Sequence, residues 1–233
     1  MESISLNKFI SSTGICSRRE ADKWIEAGRV YLNGQPAKKG NRVAEGDSVT
    51  IDGEPLISKP KPIYIALHKP PGVTCTTDLK DKDNIIDFVG HPKRIFPIGR
   101  LDKASSGLIL LTNNGDIVNK ILRVENNHEK EYIVKVNRPI TQAFLTQMSK
   151  GIPILDTVTK PCRTIKQSKF IFRITLTQGL NRQIRRMCEY LDYKVVSLKR
   201  LRIMHLHLGK LPVGQWRNLT KAELEELWKE IGS

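Results

Sequence analysis

One acidic side chain lies in a sequence context that suits chemistry. Asp102 belongs to the stretch GRLDKASSGLILLTNNGD, residues 99–116, and stands between Gly99 and Gly107. The apolar run at residues 108–111 follows, and a short apolar run bounded by turn residues is typical of a buried strand. A carboxylate in a loop at the mouth of such a strand is either a turn residue or a reactive group.

A second candidate is the arginine-rich segment QGLNRQIRRMCEYL, residues 178–191. On a helix that begins near Asn181, apolar and charged side chains separate onto opposite sides. The core side holds Ile184, Met187, Cys188 and Leu191, and the other side holds Arg182, Arg185, Arg186 and Glu189. Guanidinium groups near a helix N-terminus add to its free N–H groups and form an anion site. Because positive charge there opposes the helix dipole, we favour a functional role over a solvated face.

The sequence lacks the common catalytic motifs. It contains no P-loop, no GxGxxG and no GxSxG, so no nucleotide cofactor is indicated. His205 and His207 could bind a metal from one strand face, but no acidic or Cys partner has a motif spacing, so we expect no metal site. The four cysteines are widely spaced without a CxxC pair, which favours reduced thiols in a cytoplasmic protein.

The distribution of charge indicates a polyanionic partner. The formal charge is +15, and residues 1–57 hold eight Lys/Arg against eight Asp/Glu, which leaves 31 basic and 16 acidic groups for the rest. Residues 160–205 alone carry twelve basic and two acidic groups. A basic excess concentrated in one segment favours nucleic acid over a merely solvated surface, although charge does not distinguish RNA from DNA.

Membrane association is not indicated by the sequence. No apolar stretch is long enough to span a membrane, and the N-terminus MESISLNKF lacks the apolar region of a signal peptide. We therefore expect a cytoplasmic protein with no membrane partner.

The elements that must position these residues fall into two domains. Residues 1–57 are expected to form a compact α/β module, with a helix that begins at a capping box of Ser17 and Glu20 and ends before Gly28. An Asn-Gly turn at residues 33–34 predicts a hairpin after this helix.

The prolines and lysines of ISKPKPIY predict a linker at residues 58–63, followed by a second domain at residues 64–233. In this domain EYIVKV alternates strictly, which places Tyr132, Val134 and Val136 on one face of a strand. Helices are predicted at residues 116–123, 141–150, 181–191 and 220–230, with Thr141, Asn181 and Thr220 as N-caps. The fold class is α+β with a central mixed, mainly antiparallel sheet, because many strands lack long helical crossovers.

The N-terminal module resembles the S4 RNA-binding domain. The segments SRREADKWIEAGRVYLNG and GDSVTIDG match the layout of that family over roughly the first 55 residues. The resemblance implies that Arg18, Arg19 and Lys23 face RNA phosphates. The alternative for Arg19 and Lys23 is that they only solvate the polar face of their helix.

The rest of the chain resembles pseudouridine synthases, whose central signature contains an essential aspartate and is similar to GRLDKASSGLILLTNNGD. The segments KPPGVTCTT (69–77), KEYIVKV (130–136) and QGLNRQIRRM (178–187) match the companion motifs in order. With an S4 domain in front, the chain resembles the bacterial ribosomal-RNA family that includes the RsuA, RluB, RluE and RluF types. The segments FPIGRLDK, HEKEYIV and GLNRQIRRMCE are most similar to the motifs of the RluF type of large-subunit enzyme.

This resemblance implies the conversion of uridine to pseudouridine, most specifically in large-subunit (23S) ribosomal RNA. The N1–C1′ bond breaks, the uracil rotates and C5 bonds to C1′. No atom is gained or lost, so the reaction requires no redox cofactor, metal or nucleotide. A paired uridine must, however, be flipped out of its helix before it can react.

The resemblance also implies roles for individual residues. Asp102 supplies a carboxylate at the ribose, either as a nucleophile on C1′ or as the base that removes the C2′ proton. Arg185 is its expected ion-pair partner, since a neighbouring cation favours an ionised carboxylate and fixes its direction. Tyr132 is expected to stack on the uracil, and Ile184 to close the apolar wall of the pocket.

Further residues are expected to contact RNA. Arg100 would fill the gap left by the flipped base, and Arg182 and Arg186 would bind phosphates. Lys69 is also predicted to contact phosphate, the alternative being a solvated lysine before the Pro70-Pro71 turn.

Two other functions are compatible with parts of the sequence. A non-catalytic RNA-binding or ribosome-assembly factor would use only the S4 and basic surfaces, and it would not need a carboxylate in a basic groove. A transfer-RNA pseudouridine synthase of the same family is hardly distinguishable, because A-form RNA is read by shape and loops. We expect the protein to be a monomer that binds RNA.

Overall fold

The computed structural model describes residues 3–56 and 60–232, and the chain divides into two compact units. The first unit comprises Met1–Ile63, Pro92–Arg94 and Asn113–Gly115, and the second comprises Tyr64–His91, Ile95–Thr112 and Asp116–Ser233. The expected domain limits at residues 57 and 64 remain predictions. Residues 57–59, the end of the expected first domain and the start of the expected linker, lie outside the described residues.

The described residues of the first unit form two helices and a small sheet. Its helices are α1 (Leu6–Ser12) and α2 (Arg18–Glu26). Its strands are β1 (Ile4–Ser5), β2 (Val30–Leu32), β3 (Gln35–Pro36), β4 (Arg42–Val43), β5 (Val49–Ile51) and β6 (Glu54–Pro55). The strands β3-β2-β5-β6 form an antiparallel sheet in that order, and β1 pairs with β4.

Helix α2 begins and ends as its sequence predicts, except for one bond. The Ser17 hydroxyl accepts a hydrogen bond from the Glu20 amide at 3.1 Å, and Gly28 has a φ of +70° just past the C-cap. The Glu20 carboxylate does not return a bond to Ser17 within the described part of the chain. It lies 4.0 Å from the Lys23 ammonium instead, so only half of the expected capping box forms.

The second unit is built on a large sheet. Its strands are β7 (Tyr64–Lys69), β8 (Phe96–Ile98), β9 (Ser106–Thr112), β10 (Lys130–Val136), β11 (Pro153–Ile154), β12 (Thr157–Val158), β13 (Arg163–Lys166), β14 (Ile171–Leu176), β15 (Val195–Ile203), β16 (Leu206–His207) and β17 (Trp216–Asn218). Its helices are α3 (Ile85–Val89), α4 (Asp116–Leu122), α5 (Gln142–Lys150), α6 (Gln183–Tyr190) and α7 (Lys221–Glu230), with a 3₁₀ turn at Val124–Asn126.

The strand order β13-β14-β10-β15-β9-β7-β17 confirms the expected mixed, mainly antiparallel sheet. Strand β16 adds to β15, strand β8 adds to β9, and β11 pairs with β12 in a separate hairpin. Among the described strand pairs of this sheet, only β15 and β9 run parallel. This pair places Arg200 opposite Gly107, next to the loop that carries Asp102.

A β-bulge interrupts the pairing of β10 with β15. Glu131 lies opposite Arg202 and Tyr132 lies opposite Arg200, so Leu201 is an extra residue on β15. The bulge changes which side chains of β15 face each side of the sheet. Tyr132 and Arg200 therefore share one side, whereas Arg202 turns toward Glu131 on the other.

One of the three N-caps predicted for the second domain is wrong. Thr141 and Thr220 cap α5 and α7 as expected, and Thr220 forms a complete capping box with Glu223. Asn181 does not cap α6. The N-cap is Arg182, whose φ of +50° is left-handed, and the helix begins only at Gln183.

One hydrophobic core of the second unit lies between the sheet and two helices. Leu108 and Leu110 of β9 are buried with Ile117 and Ile121 of α4 and with Leu227 of α7. Burial on this side anchors the strand that follows the Asp102 loop. None of the described helices has the length and apolar character needed to cross a membrane.

Candidate active site

A cavity of about 620 Å³ surrounds Asp102 in the second unit. Its size falls in the range of about 300–1,000 Å³ that is usual for ligand sites. The strands β10, β14 and β15 form one wall, and the Asp102 loop and the start of α6 form others. The predicted site residues in the lining are Arg100, Asp102, Tyr132, Arg182, Ile184 and Arg185.

The Asp102 carboxylate is held by a buried guanidinium group. Arg185 Nε lies 3.3 Å from Asp102 Oδ2, and its Nη2 donates to Ser105 Oγ at 3.1 Å. The Arg185 side chain is 10% exposed, whereas the Asp102 side chain is 29% exposed. The carboxylate is therefore oriented from the protein side and remains accessible from the cavity.

The Asp102 loop is held by its own turn and by the preceding loop at residues 70–75. The Ser105 amide donates to Asp102 O at 2.9 Å, which closes a tight turn. The Leu101 amide donates to Cys75 Sγ at 3.4 Å, and the Gly72 amide donates to Lys103 O at 2.7 Å. The last two contacts come from an earlier part of the chain, in which Cys75 lies 26 residues before Leu101.

The predicted role of Lys69 as a phosphate contact is wrong, and so is the solvated alternative. Its side chain is fully buried, and Nζ donates to the carbonyls of Pro70 at 2.8 Å, Val73 at 2.7 Å and Lys103 at 3.3 Å. Burial lowers the pKa of Lys69, against the opposing effects of Cys75 and Asp102. Carbonyl oxygens compensate the loss of water around the ammonium. Lys69 therefore joins two loops from inside the protein.

Helix α6 differs from its predicted two-sided pattern. Arg185, which the pattern places on the side opposite the core, is buried because it points at Asp102, its expected partner. Ile184 is buried and also lines the cavity, which reconciles its predicted core position with its expected place in the pocket wall. Met187 and Cys188 are buried in the core as predicted.

The other two arginines of this segment are less buried. Arg182 Nη1 lies 3.9 Å from Asp102 Oδ2, so Arg182 is a second cation beside the carboxylate. Arg186 lies outside the cavity lining and donates to Asn181 O at 3.1 Å. Of the two, only Arg186 is separate from the carboxylate.

Two predicted site residues contribute from opposite walls. Tyr132 on β10 is buried and presents its ring to the cavity. Arg100 lies two residues before Asp102 in the lining and is exposed. In the first unit, Arg18, Arg19 and Lys23 are exposed on α2, so they are available to a partner.

Sequence reasoning missed several polar residues of the cavity, among them Ser105, Lys130 and Arg200. Ser105 accepts from Arg185, and its place three residues after Asp102 could have suggested the turn that positions it. Lys130 and Arg200 also line the cavity and are buried. The alternation of Lys130 with Tyr132 along β10 could have indicated Lys130, but no local pattern indicates Arg200.

The fold and the site define an RNA-modifying enzyme with an accessory RNA-binding domain. Residues 63–190 match the family model for RNA pseudouridylate synthase, and residues 5–49 match that for the S4 domain. The chain belongs to the RNA pseudouridylate synthase family.

Individual relatives agree with this assignment. The chain is 56% identical to the dual-specificity RNA pseudouridine synthase RluF of Escherichia coli strain K12, over 98% of this chain and 80% of the relative. It is 35% identical to the ribosomal large subunit pseudouridine synthase B of Bacillus subtilis, over 95% and 94% of the two chains. A crystal structure of a pseudouridylate synthase superposes with a TM-score of 0.71 at 29% identity, covering 97% of this chain and all of the other. The expected enzyme class, S4 domain and RluF type are confirmed.

Proposed function

We propose that the protein isomerises a specific uridine to pseudouridine in large-subunit (23S) ribosomal RNA. The observation that carries the proposal is the Asp102–Arg185 pair in a cavity that also contains Tyr132. The ribosomal RNA substrate is supported by the Bacillus subtilis relative, which is a ribosomal large subunit enzyme. The E. coli relative is a dual-specificity enzyme, which supports a second RNA substrate, for which transfer RNA is the candidate.

The chemistry requires a carboxylate that reaches the ribose. Asp102 either bonds to C1′ or removes the C2′ proton, and in both routes the N1–C1′ bond breaks. Arg185 fixes the direction of the Asp102 carboxylate, since its guanidinium is also held by Ser105. An approach in fixed geometry is a large part of enzymatic rate acceleration.

The base must leave its helix to reach this carboxylate. Tyr132 stacks on the flipped uracil, Ile184 closes the apolar side of the pocket, and Arg100 fills the gap in the RNA. Because the reaction is an isomerisation, we propose that it needs no cofactor and no metal.

Binding of the surrounding RNA is assigned to exposed cations. Arg18, Arg19 and Lys23 of the S4 domain contact phosphates, as does Arg186 beside the cavity. Arg182 has its guanidinium beside Asp102, so we assign it to a phosphate close to the reacting nucleotide. We further propose that the protein works as a cytoplasmic monomer.

Mapping pseudouridines in total RNA tests the proposal. We expect cells without this gene to lack pseudouridine at one or more positions of 23S RNA. The wild-type gene should restore them, whereas Asp102→Asn should not, since the amide keeps the size of the side chain but removes its charge. Purified Asp102→Asn should still bind RNA while releasing no tritium from C5-labelled substrate. An unchanged RNA map, or restoration by Asp102→Asn, would contradict the proposal.

A further inference from the structure

Two buried cations of the cavity have no negative partner in the protein. Lys130 is 7% exposed, and its Nζ makes one long bond of 3.3 Å to His128 O. Arg200 is 4% exposed; its Nε donates to Leu108 O at 2.7 Å, but its buried Nη2 has no hydrogen-bond partner in the described chain. No carboxylate among residues 3–56 and 60–232 forms an ion pair with either group.

Elsewhere the protein compensates its buried cations. Lys69 has three carbonyl partners and Arg185 has Asp102 and Ser105, while the half-buried Arg202 has the carboxylates of two glutamates. Burial lowers the pKa of Lys130, and the nearby charge of Arg200 lowers it further. An uncompensated buried cation is costly, so a pair of them indicates a ligand that supplies the missing acceptors.

Both cations lie on the same side of the sheet as the aromatic ring. Lys130 and Tyr132 alternate along β10, and the bulge at Leu201 keeps Arg200 on their side. The same wall also contains Leu176 and Leu198. The two donors thus stand beside leucine side chains in a wall of the cavity that holds Asp102.

We propose that Lys130 and Arg200 bind the carbonyl oxygens of the flipped uracil and stabilise the uracil anion formed when the N1–C1′ bond breaks. This inference rests on the proposed function. When that bond breaks, its electron pair stays on the base and spreads over N1, O2 and O4. The ribose carbon gains a bond to Asp102, or forms a C1′=C2′ double bond as Asp102 takes the C2′ proton.

The remaining steps of the reaction leave the atoms balanced. C5 of the uracil anion bonds to C1′, and Asp102 leaves the ribose or returns its proton to C2′. The C5 proton is then lost and N1 takes one up, so no oxidant or other reactant is consumed. Fixed donors in a site of low dielectric are most effective where negative charge develops during the reaction. Phosphates of the RNA backbone bind the exposed arginines more favourably, because a phosphate at this wall would lose its hydration next to leucine side chains.

Lys130→Met tests the inference, since it keeps the length of the side chain and removes its charge. We expect the single-turnover rate at saturating RNA to fall by roughly 100-fold, with little change in RNA affinity. The thermal midpoint should stay the same or rise, because a buried charge without a partner is removed. Lys135→Met is the matched control, since Lys135 is exposed on the same strand, and it should leave all three quantities unchanged.

A substrate with 5-fluorouridine at the target position adds a second readout. Fluorine withdraws electrons from the ring and stabilises its anion, so the rate deficit of Lys130→Met should shrink. Consumption of the target nucleoside is followed by liquid chromatography coupled to mass spectrometry, because the rearranged nucleoside keeps its fluorine and has the same mass as the substrate. A merely structural role would slow both substrates equally. Arg200→Lys retains a positive charge and should lose less rate than Arg200→Gln. Arg202→Lys and Arg202→Gln are the matched control pair on the same strand.

The outcomes separate this inference from the proposed function. A wild-type rate in Lys130→Met overturns the inference, as does a weaker affinity with an unchanged rate at saturation, which would assign the pair to a phosphate. A lower thermal midpoint with an equal deficit on both substrates also overturns it. If wild-type protein is inactive on ribosomal RNA or Asp102→Asn is active, the proposed function fails instead.

Discussion

At the scale of single residues, helix α6 offers an internal comparison. Arg185 is buried against Asp102, whereas Arg186 donates to Asn181 outside the cavity. Loss of one partner of a buried ion pair costs about 3–5 kcal/mol, which corresponds to a rate loss of roughly 100-fold to 1,000-fold or more. We therefore expect Arg185→Ala to slow the single-turnover rate by that factor while RNA affinity changes little. Arg185→Lys should also be slow, because lysine cannot bridge Asp102 and Ser105 with a planar fork.

Arg186→Ala is the matched control on the same helix. It should weaken RNA binding and reduce the slope of binding against salt by about one counterion, with the saturated rate nearly intact. Binding titrations at several salt concentrations and single-turnover assays measure both quantities. If Arg185→Ala shows the behaviour of Arg186→Ala, the buried pair does not orient the carboxylate for the reaction.

At the scale of elements, the parallel contact of β9 with β15 controls the geometry of the site. Gly107 has a φ of +111°, and a Cβ at this position would lie 2.2 Å from Arg200 O and 2.5 Å from Arg200 N. Gly107→Ala must therefore separate the two strands that carry the Asp102 loop and Arg200. We expect the free energy of unfolding to fall by about 2 kcal/mol or more, and activity to fall with it.

Denaturant titration and the tritium-release assay measure these two effects. Gly209→Ala serves as the control, because Gly209 also has a positive φ of +56° but a Cβ there meets no atom within 4 Å. It should cost only the strain of its backbone, about 1 kcal/mol, and keep the activity. Equal effects of the two substitutions would contradict a special role for the strand contact.

At the scale of the whole molecule, each unit has its own core. In the first unit Leu6, Ile10, Ala21 and Ile25 are buried together, and the second unit has its separate cluster around β9. A chain without residues 1–57 should therefore fold, because separate cores make domains independent. We expect it to bind RNA more weakly or to lose site selectivity while it still forms pseudouridine.

Circular dichroism, RNA binding and pseudouridine mapping of the truncated protein check this expectation. The full chain measured in parallel is the control for each quantity. A truncated protein that is insoluble or unfolded would contradict the separation into domains at residue 57.

The sequence by itself determined the features that depend on near neighbours along the chain. The alternation of Tyr132, Val134 and Val136 predicted one buried face of a strand, and the Thr141 and Thr220 caps predicted two helix starts. Caps and alternation are set by residues within about four positions of one another, so a local pattern contains them. The resemblance of the motifs to pseudouridine synthases added the enzyme class.

Tertiary structure decided the features that depend on residues far apart in the chain. Lys69 is buried because carbonyls on two loops replace its water, and the first turn of α6 is delayed by the left-handed Arg182. Arg200 reaches the cavity through a bulge and a parallel contact with Gly107, over ninety residues earlier in the chain. From the sequence alone, a charged residue in a strand is predicted to be solvated, because its burial depends on which strands pair with the strand that carries it. Those partners are fixed only when the whole sheet forms.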